Sequence, residues 1–164
     1  MATNYTLSPV HAINKYLWDA IQDAGFMNPA NYGSLVPIIP TQQIPEMNAM
    51  IAAGKSVPFI VYTYRTNAIS EDWFIQDDSI VYVIYSQNQS DLIKINNLMV
   101  DIFKRWDESG QAVQDYIDTL NHPVLKQYDI KSVSVDSAGG PDPQSEENGR
   151  MTAIVTIRVT YTVD

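Results

Sequence analysis

Residues 150–163 alternate between apolar and mostly polar side chains with almost no interruption. One set is entirely apolar: Met151, Ala153, Val155, Ile157, Val159, Tyr161 and Val163. Because successive side chains of a β-strand point to opposite faces, the pattern predicts one strand with an apolar face and a threonine-rich face. At about 3.3 Å per residue it would span roughly 40 Å, well beyond the usual strand of five or six residues. We therefore expect its far end to pair or pack against something outside its own subunit.

The composition fits one globular domain of 164 residues, with 45% apolar side chains. A chain of this length can bury a core without covalent staples. There is no cysteine, which excludes disulfides and thiolate metal sites and fits a reducing compartment. The N-terminal residues lack the pattern of a signal peptide, and no apolar run approaches the ~20 residues that span a bilayer. We expect a soluble intracellular protein without membrane contact.

The formal net charge of −9 disfavours a partner that is bound through its phosphates. Affinity for nucleic acid comes largely from lysine and arginine, which are outnumbered here by acidic residues. The acidic excess has two interpretations. It either keeps the chain soluble, or it forms a surface that does not retain nucleic acid passing by it.

Hydrophobic spacing predicts the other elements. An amphipathic helix begins after Ser8, which can cap it, and ends at Gly25. Polar loops are predicted at 67–78 and 137–149. The remaining elements are a weak edge strand at 35–39, a short helix at 42–53, strands at 59–66 and 79–86, a helix at 89–108, one or two helical turns at 111–120, and a strand at 128–136.

This order of elements predicts a single α+β domain, residues 1–164, with a mostly antiparallel sheet of four or five strands. Two hairpins would form most of the sheet, and the helices would pack on one face. The other face is expected to carry tyrosine and threonine, which would suit a partly hydrated or partner-facing surface.

No motif in the sequence indicates an enzyme. There is no glycine-rich phosphate loop, no nucleophile elbow and no His-x-x-x-His pair. His11 and His122 are predicted to be surface or capping residues. We therefore predict no catalytic residue, no cofactor and no metal. Three carboxylate pairs are expected to be solvated, because each falls in a polar loop: Glu71 with Asp72, Asp77 with Asp78, and Glu146 with Glu147.

Trp73 and Phe74 stand out because they fall in the middle of the predicted loop 67–78, where polar residues are usual. Either the loop folds back and buries both rings on its own domain, or the rings contact a partner, as aromatic residues at interface cores do. The candidate partner-contact residues come from the two polar loops and the start of the final strand: Trp73, Phe74, Asp77, Asp78, Glu146, Glu147 and Arg150.

The strands also carry a family resemblance. The relevant segments are PFIVYTYR at 58–65, SIVYVIYS at 79–86, the long amphipathic helix, DIKSVSV at 129–135, and a long strand ending VTYTV at 159–163. Together they resemble the tail terminator proteins of tailed bacteriophages. These are also called tail-completion proteins. The likeness covers nearly the whole chain from Pro9 onward. It is closest to versions from phages with contractile tails, where the protein is also called a neck protein.

The resemblance implies an α+β protomer that closes into a homo-hexameric ring. Such a ring caps the tail tube, stops its polymerisation and joins the tail to the head–tail connector. Its implied partners are the tube, sheath and connector proteins. DNA would pass through the centre without specific binding. The implied location is the tail or neck of the virion, after assembly in the host cytoplasm.

Three other interpretations remain open. The chain could be a different ring protein of the same virion, such as a tube or connector subunit. It could be a small acidic α+β module that binds a peptide or a metabolite. The third alternative is an enzyme that uses the loop carboxylates.

Overall fold

The computed structural model describes residues 8–52, 57–69, 75–142 and 150–163, and confirms the α+β class. Within this part of the chain there are four α-helices: α1 (Pro9–Asp23), α2 (Ile44–Ala52), α3 (Gln89–Phe103) and α4 (Asp107–Leu120). The same residues form five strands: β1 (Ile38–Pro40), β2 (Phe59–Ile69), β3 (Ile75–Ser86), β4 (Tyr128–Asp142) and β5 (Met151–Val163).

All five strands belong to one sheet with the order β1-β2-β3-β5-β4. The β2–β3 and β4–β5 hairpins are antiparallel, and β3 and β5 join them in the middle, also antiparallel. Only the short β1 runs parallel to its neighbour, β2. The predicted pair of hairpins in one mostly antiparallel sheet is therefore confirmed.

The long final strand lies inside the sheet. On one side it pairs with β3, from Met151 opposite Ser86 to Thr162 opposite Ile75. On the other side it pairs with β4. The length of β5 is thus matched by strands of its own chain. Contrary to our expectation, its backbone does not need a second subunit for pairing.

The helices α1, α3 and α4 cover one face of the sheet. The apolar set of β5 points toward them: Ala153, Val155, Ile157, Val159 and Tyr161 are all buried. Each buried valine or isoleucine side chain of this set contributes about 1.5–3 kcal/mol before entropy is counted. Tyr82 of β3 is also buried on this face and donates a hydrogen bond to Oδ1 of Asn14 in α1, at 2.7 Å. That bond satisfies a hydroxyl inside the core.

Among the residues that the structure describes, the opposite face is covered only at one end. There Phe59 stacks on Tyr85 with ring centroids 5.0 Å apart, and the Arg150 guanidinium lies 5.3 Å from the Phe59 centroid. Nη1 of Arg150 donates to Oδ1 of Asn48 in α2, at 3.1 Å. Beyond this end lies the open face, formed by outward side chains of β2, β3 and β5: Thr63, Arg65, Asp77, Ser79, Val81, Val83, Ile154, Thr156, Arg158 and Thr160.

The threonines predicted for this face are there, but most of the tyrosines are not. Tyr62, Tyr64, Tyr82 and Tyr161 alternate with the open-face residues and point toward the helices. Tyr85 points the other way and stacks on Phe59. An aromatic ring with one hydroxyl serves well in a core when the hydroxyl finds a partner. The open face is therefore more aliphatic and threonine-rich than predicted.

The predicted helix at 89–108 is two helices. α3 ends at Phe103, and α4 begins at Asp107 and runs for 14 residues. Gly110, which follows the end of the predicted helix, lies in the first turn of α4. A Cβ there would come within 2.9 Å of the Lys131 carbonyl oxygen. The close packing of α4 on β4 explains the glycine at this position.

Three strands are longer than predicted. β2 continues to Ile69, β3 already begins at Ile75, and β4 continues to Asp142. Both predicted loops, 67–78 and 137–149, are correspondingly shorter. The polar residues at these strand ends were predicted as loop. They form strand nevertheless, because the backbone hydrogen bonds between strands do not depend on side-chain polarity.

Candidate partner-contact surface

Asp77 and Asp78 do not lie in a solvated loop as predicted. Both belong to β3, and their side chains point to opposite faces of the sheet. Asp77 lies on the open face, whereas Asp78 is only 1% exposed. One of these two predicted contact residues is therefore inaccessible to a partner.

Asp78 is the centre of a buried polar cluster. Its Oδ2 accepts a hydrogen bond from the Tyr64 hydroxyl, which lies 3.3 Å from the Tyr161 hydroxyl. Tyr161 in turn donates to Oε1 of Gln76 at 2.9 Å. The second carboxylate oxygen of Asp78 has no hydrogen-bond partner among the described residues. These contacts connect β2, β3 and β5 from inside the protein.

The tyrosines of this cluster are held in their neutral form. Burial, followed by the hydrogen bond to Asp78, raises the pKa of Tyr64 to about 12. Burial and then the same carboxylate also raise the pKa of Tyr161 well above its ordinary value. A phenol that is buried against a carboxylate resists ionisation because the charged form loses its hydration and meets a like charge. The cluster therefore supports the fold rather than acid–base chemistry.

On the open face, Asp77 forms a two-pronged ion pair with Arg158 of β5. Nε of Arg158 lies 2.8 Å from each carboxylate oxygen, and its Nη2 also donates to Oδ2. The hydrogen bond to Asp77 raises the pKa of Arg158. This planar geometry fixes the guanidinium against the sheet. The pair neutralises the charges of Asp77 and Arg158 at this point of the open face.

A cleft of about 350 Å³ begins beside this ion pair, and we call it the Trp106 cleft. Its wall beyond the sheet is Trp106, the last residue before α4 begins, which is 64% exposed. The Trp106 carbonyl accepts hydrogen bonds from the Val133 N–H at 3.2 Å and from the Gly110 N–H at 2.8 Å. The cleft is lined by Ile75, Asp77, Trp106, Ser132, Ser134, Arg158 and Thr160.

The sequence did not predict this cleft, because the single helix predicted at 89–108 places Trp106 inside a helix rather than directly before one. The signal that would have corrected this is the pair Asp107 and Glu108, which lies in the first turn of α4. Acidic residues are favoured at the beginning of a helix by its dipole and its free N–H groups. They therefore mark a new helix start directly after Trp106.

Arg150 is also more internal than predicted. It is buried, and its guanidinium lies over Phe59 and Tyr85 at 5.3 and 5.8 Å from their ring centroids. Together with its bond to Asn48, these contacts attach α2 to the covered end of the sheet. The remaining predicted contact residues, Trp73, Phe74, Glu146 and Glu147, lie outside the described residues, so the prediction for them stands untested.

Both histidines serve the local backbone, as predicted. Nδ1 of His11 accepts a hydrogen bond from the Ser8 N–H at 3.0 Å and forms part of the cap of α1. Nδ1 of His122 accepts one from the Val124 N–H at 3.3 Å. In the part of the chain that the structure describes, no group of three or more His, Cys, Asp or Glu side chains is arranged to hold a metal ion.

Among the same residues, no helix has the length and apolar character required to cross a membrane. Comparison of the sequence with protein-family models finds no matching family. A search of curated proteins finds no similar sequence.

Proposed function

We propose that this chain is a structural subunit of a phage tail: a tail terminator that forms a hexameric ring on the end of the tail tube. It stops tube polymerisation and joins the tail to the head–tail connector. In this role it contacts tube, sheath and connector proteins and surrounds the DNA path without gripping DNA. It is assembled in the host cytoplasm and remains in the neck of the virion.

The observation that carries the proposal is the open face of the sheet. Three helices bury one face, whereas on the other face the described residues leave Ile154 exposed among threonines, and Trp106 is exposed at the edge of the sheet. A sheet face that the described residues leave open, with an exposed aromatic side chain at its edge, suits a subunit that is completed by a neighbour. The resemblance of the strands to tail terminators indicates which assembly this is, namely a ring on the end of a tail tube.

Ring formation needs two different contact surfaces on each subunit, because a cyclic assembly of more than two copies is heterologous. The open face and the edge of the sheet at Trp106 are two such surfaces on one chain. Capping then requires no covalent chemistry. The ring binds the last tube ring by one side and presents no site for further tube subunits on the other.

The test is an assembly experiment with the purified chain and the tube protein of the same phage, identified from the neighbouring genes. We expect tubes to become shorter as the ratio of this chain to tube protein rises, and a six-subunit ring to be visible on one end of each tube. Extension of the purified chain into tubes by itself would identify a tube subunit instead. Unchanged tube length with no bound ring would reject the terminator function.

A further inference from the structure

The Trp106 cleft is built on three adjacent strands of the open face. Thr160 of β5 lies directly opposite Ser132 of β4, and Arg158 lies opposite Ser134 in the next row. On its other side β5 pairs with β3, which completes the floor of the cleft. Opposite side chains of antiparallel strands lie on the same face, with Cβ atoms about 4.5–5.5 Å apart. The register of the sheet therefore fixes a compact polar floor.

Three hydroxyl groups of this floor form no side-chain hydrogen bond within the part of the chain that the structure describes. They belong to Ser132, Ser134 and Thr160. Ser134 is only 7% exposed, yet it lines the cleft. A nearly buried hydroxyl without a partner is unusual, because it has lost hydration and gained no hydrogen bond. A ligand whose groups both donate and accept hydrogen bonds would satisfy all three.

The indole of Trp106 forms an aromatic wall beside these hydroxyls. The residue is 64% exposed, and its φ of +48° and ψ of −103° lie in a region that residues with a Cβ rarely adopt. Its carbonyl holds it there by accepting hydrogen bonds from Val133 and Gly110. Backbone strain of this kind clusters at ligand-binding and active sites. The face of an indole is partly negative and attracts the partly positive C–H groups of a ring packed on it.

The charges around the cleft disfavour a charged ligand. The hydrogen bond to Asp77 and its charge, and then the charge of Asp136, raise the pKa of Arg158. Asp107 begins α4 next to the indole. An anion would therefore approach several carboxylates, while the one guanidinium of the cleft is already engaged. A cation would meet that guanidinium in the wall, with Arg65 exposed further along the same face.

An uncharged ring that carries hydroxyl groups fits these surroundings. A purely apolar ligand would leave the hydroxyls and the ion pair dehydrated. A nucleobase would stack on the indole, but its edge presents donors and acceptors in a fixed order, whereas serine and threonine hydroxyls rotate to suit either role. A sugar ring has one face of C–H groups and a rim of hydroxyls that both donate and accept. It therefore matches the aromatic wall and the hydroxyl floor together.

We propose that the Trp106 cleft binds a neutral saccharide. One face of a sugar ring packs on the indole, and the hydroxyls of the ring bond to those of the floor. Nη1 of Arg158 is a further donor, because the ion pair with Asp77 uses Nε and Nη2. The cleft volume of about 350 Å³ lies within the range of about 300–1,000 Å³ that small-ligand pockets have.

This site goes beyond the proposed ring function. Because Trp106 also lies on an edge that we propose for subunit contacts, the binding is assigned to the free chain. The test titrates the isotope-labelled full chain with glucose, galactose, mannose and N-acetylglucosamine. We expect at least one of these sugars to shift the indole N–H signal of Trp106 saturably at millimolar concentration. That signal is identified as the one missing from Trp106→Gly.

Two variants place the sugar in the cleft. Trp106→Gly should weaken binding about tenfold or more, because it removes the stacking wall, and glycine tolerates the positive φ. Ser134→Ala should weaken binding about threefold, because it removes one hydrogen bond, and it keeps the test decisive if the glycine variant melts at a lower temperature. Calorimetric titration measures both effects.

Ile154→Ala and Ser137→Ala are the matched controls. Ile154 is 45% exposed on the same face, and Ser137 is exposed on the same strand as Ser134, but neither lines the cleft. Both variants should bind the sugar like the wild type. A loss of binding in the controls as large as in the cleft variants would contradict the assignment.

Two other results would overturn the saccharide site. The first is that no sugar of the set shifts the Trp106 signal at tens of millimolar, or that binding is unchanged in both cleft variants. The second is tighter binding of adenosine or choline than of every sugar, which would assign the cleft to a base or to a cation. The terminator function is tested separately by tube length.

Discussion

Asp77 and Asp78 are consecutive residues of β3, yet one pairs with Arg158 on the open face and the other is buried against Tyr64 on the helix-covered face. The alternation of a strand places two chemically identical side chains in opposite surroundings. The two carboxylates must therefore contribute differently to the free energy of unfolding, and a substitution at Asp77 is the control for one at Asp78.

We predict that Asp78→Ala lowers the free energy of unfolding by about 1–3 kcal/mol, because it removes the carboxylate that accepts a hydrogen bond from the half-buried Tyr64 hydroxyl. Asp77→Ala should cost less than about 1 kcal/mol, since its partner Arg158 remains solvated at the surface. Urea denaturation of both variants measures the difference. Equal losses would mean that the two carboxylates do not occupy the different environments described.

The pKa of Tyr64 predicts a loss of stability at alkaline pH. Because folding raises this pKa from its ordinary value of 10.0 to about 12, the neutral phenol favours the folded state. That contribution is complete below pH 10 and is lost as the pH rises through 12. Tyr64→Phe should therefore show a shallower decline of unfolding free energy over this window. Tyrosinate absorbance during the titration provides an independent check, and an unchanged slope would contradict the assignment.

Gly110 offers a test of how closely α4 packs on β4. In Gly110→Ala the new Cβ would lie 2.9 Å from both the Lys131 carbonyl oxygen and the Ser132 Cα, which are backbone atoms and cannot rotate away. We expect a loss of about 1–3 kcal/mol from overpacking. Gly139→Ala is the control, because nothing lies within 4 Å of its Cβ position, and it should change stability by less than about 0.5 kcal/mol. A Gly110→Ala protein more stable than the wild type would show that helix propensity outweighs packing here.

The sequence was sufficient to predict the strands with strong alternation. β5 was predicted nearly residue by residue, because Ala153, Val155 and Ile157 alternate with the residues of the threonine-rich face and are all buried. The α+β class and the two hairpins follow from the same periodicity. What periodicity could not show is that β3 and β4 match β5 in length, since the added ends of β3 and β4 are largely polar and do not alternate with apolar residues.

The contact surface was predictable only in part. Asp78 looked like a loop acid because its partners, Tyr64 and Tyr161, are distant in sequence and approach it only through strand pairing. Trp106 looked like a core residue because its spacing fits α3. Trp106 is exposed because α4 begins directly after it and packs against β4 at Gly110. This packing is a tertiary contact, and hydrophobic periodicity does not indicate it. Single residues at such junctions therefore require the structure.

The last prediction concerns DNA. With a net charge of −9 per chain, a ring around the DNA path would repel phosphates rather than bind them, although salt at physiological strength limits that repulsion to about 8 Å. The arginine fixed on the open face, Arg158, is already paired with Asp77. We therefore expect no measurable binding to duplex DNA even at low salt, where phosphate contacts are strongest. A gel-shift titration measures this, with Asp77→Ala as a variant that removes the carboxylate partner of Arg158. Retardation by the wild-type chain at micromolar concentration would show that a basic surface grips DNA and would contradict a passive conduit.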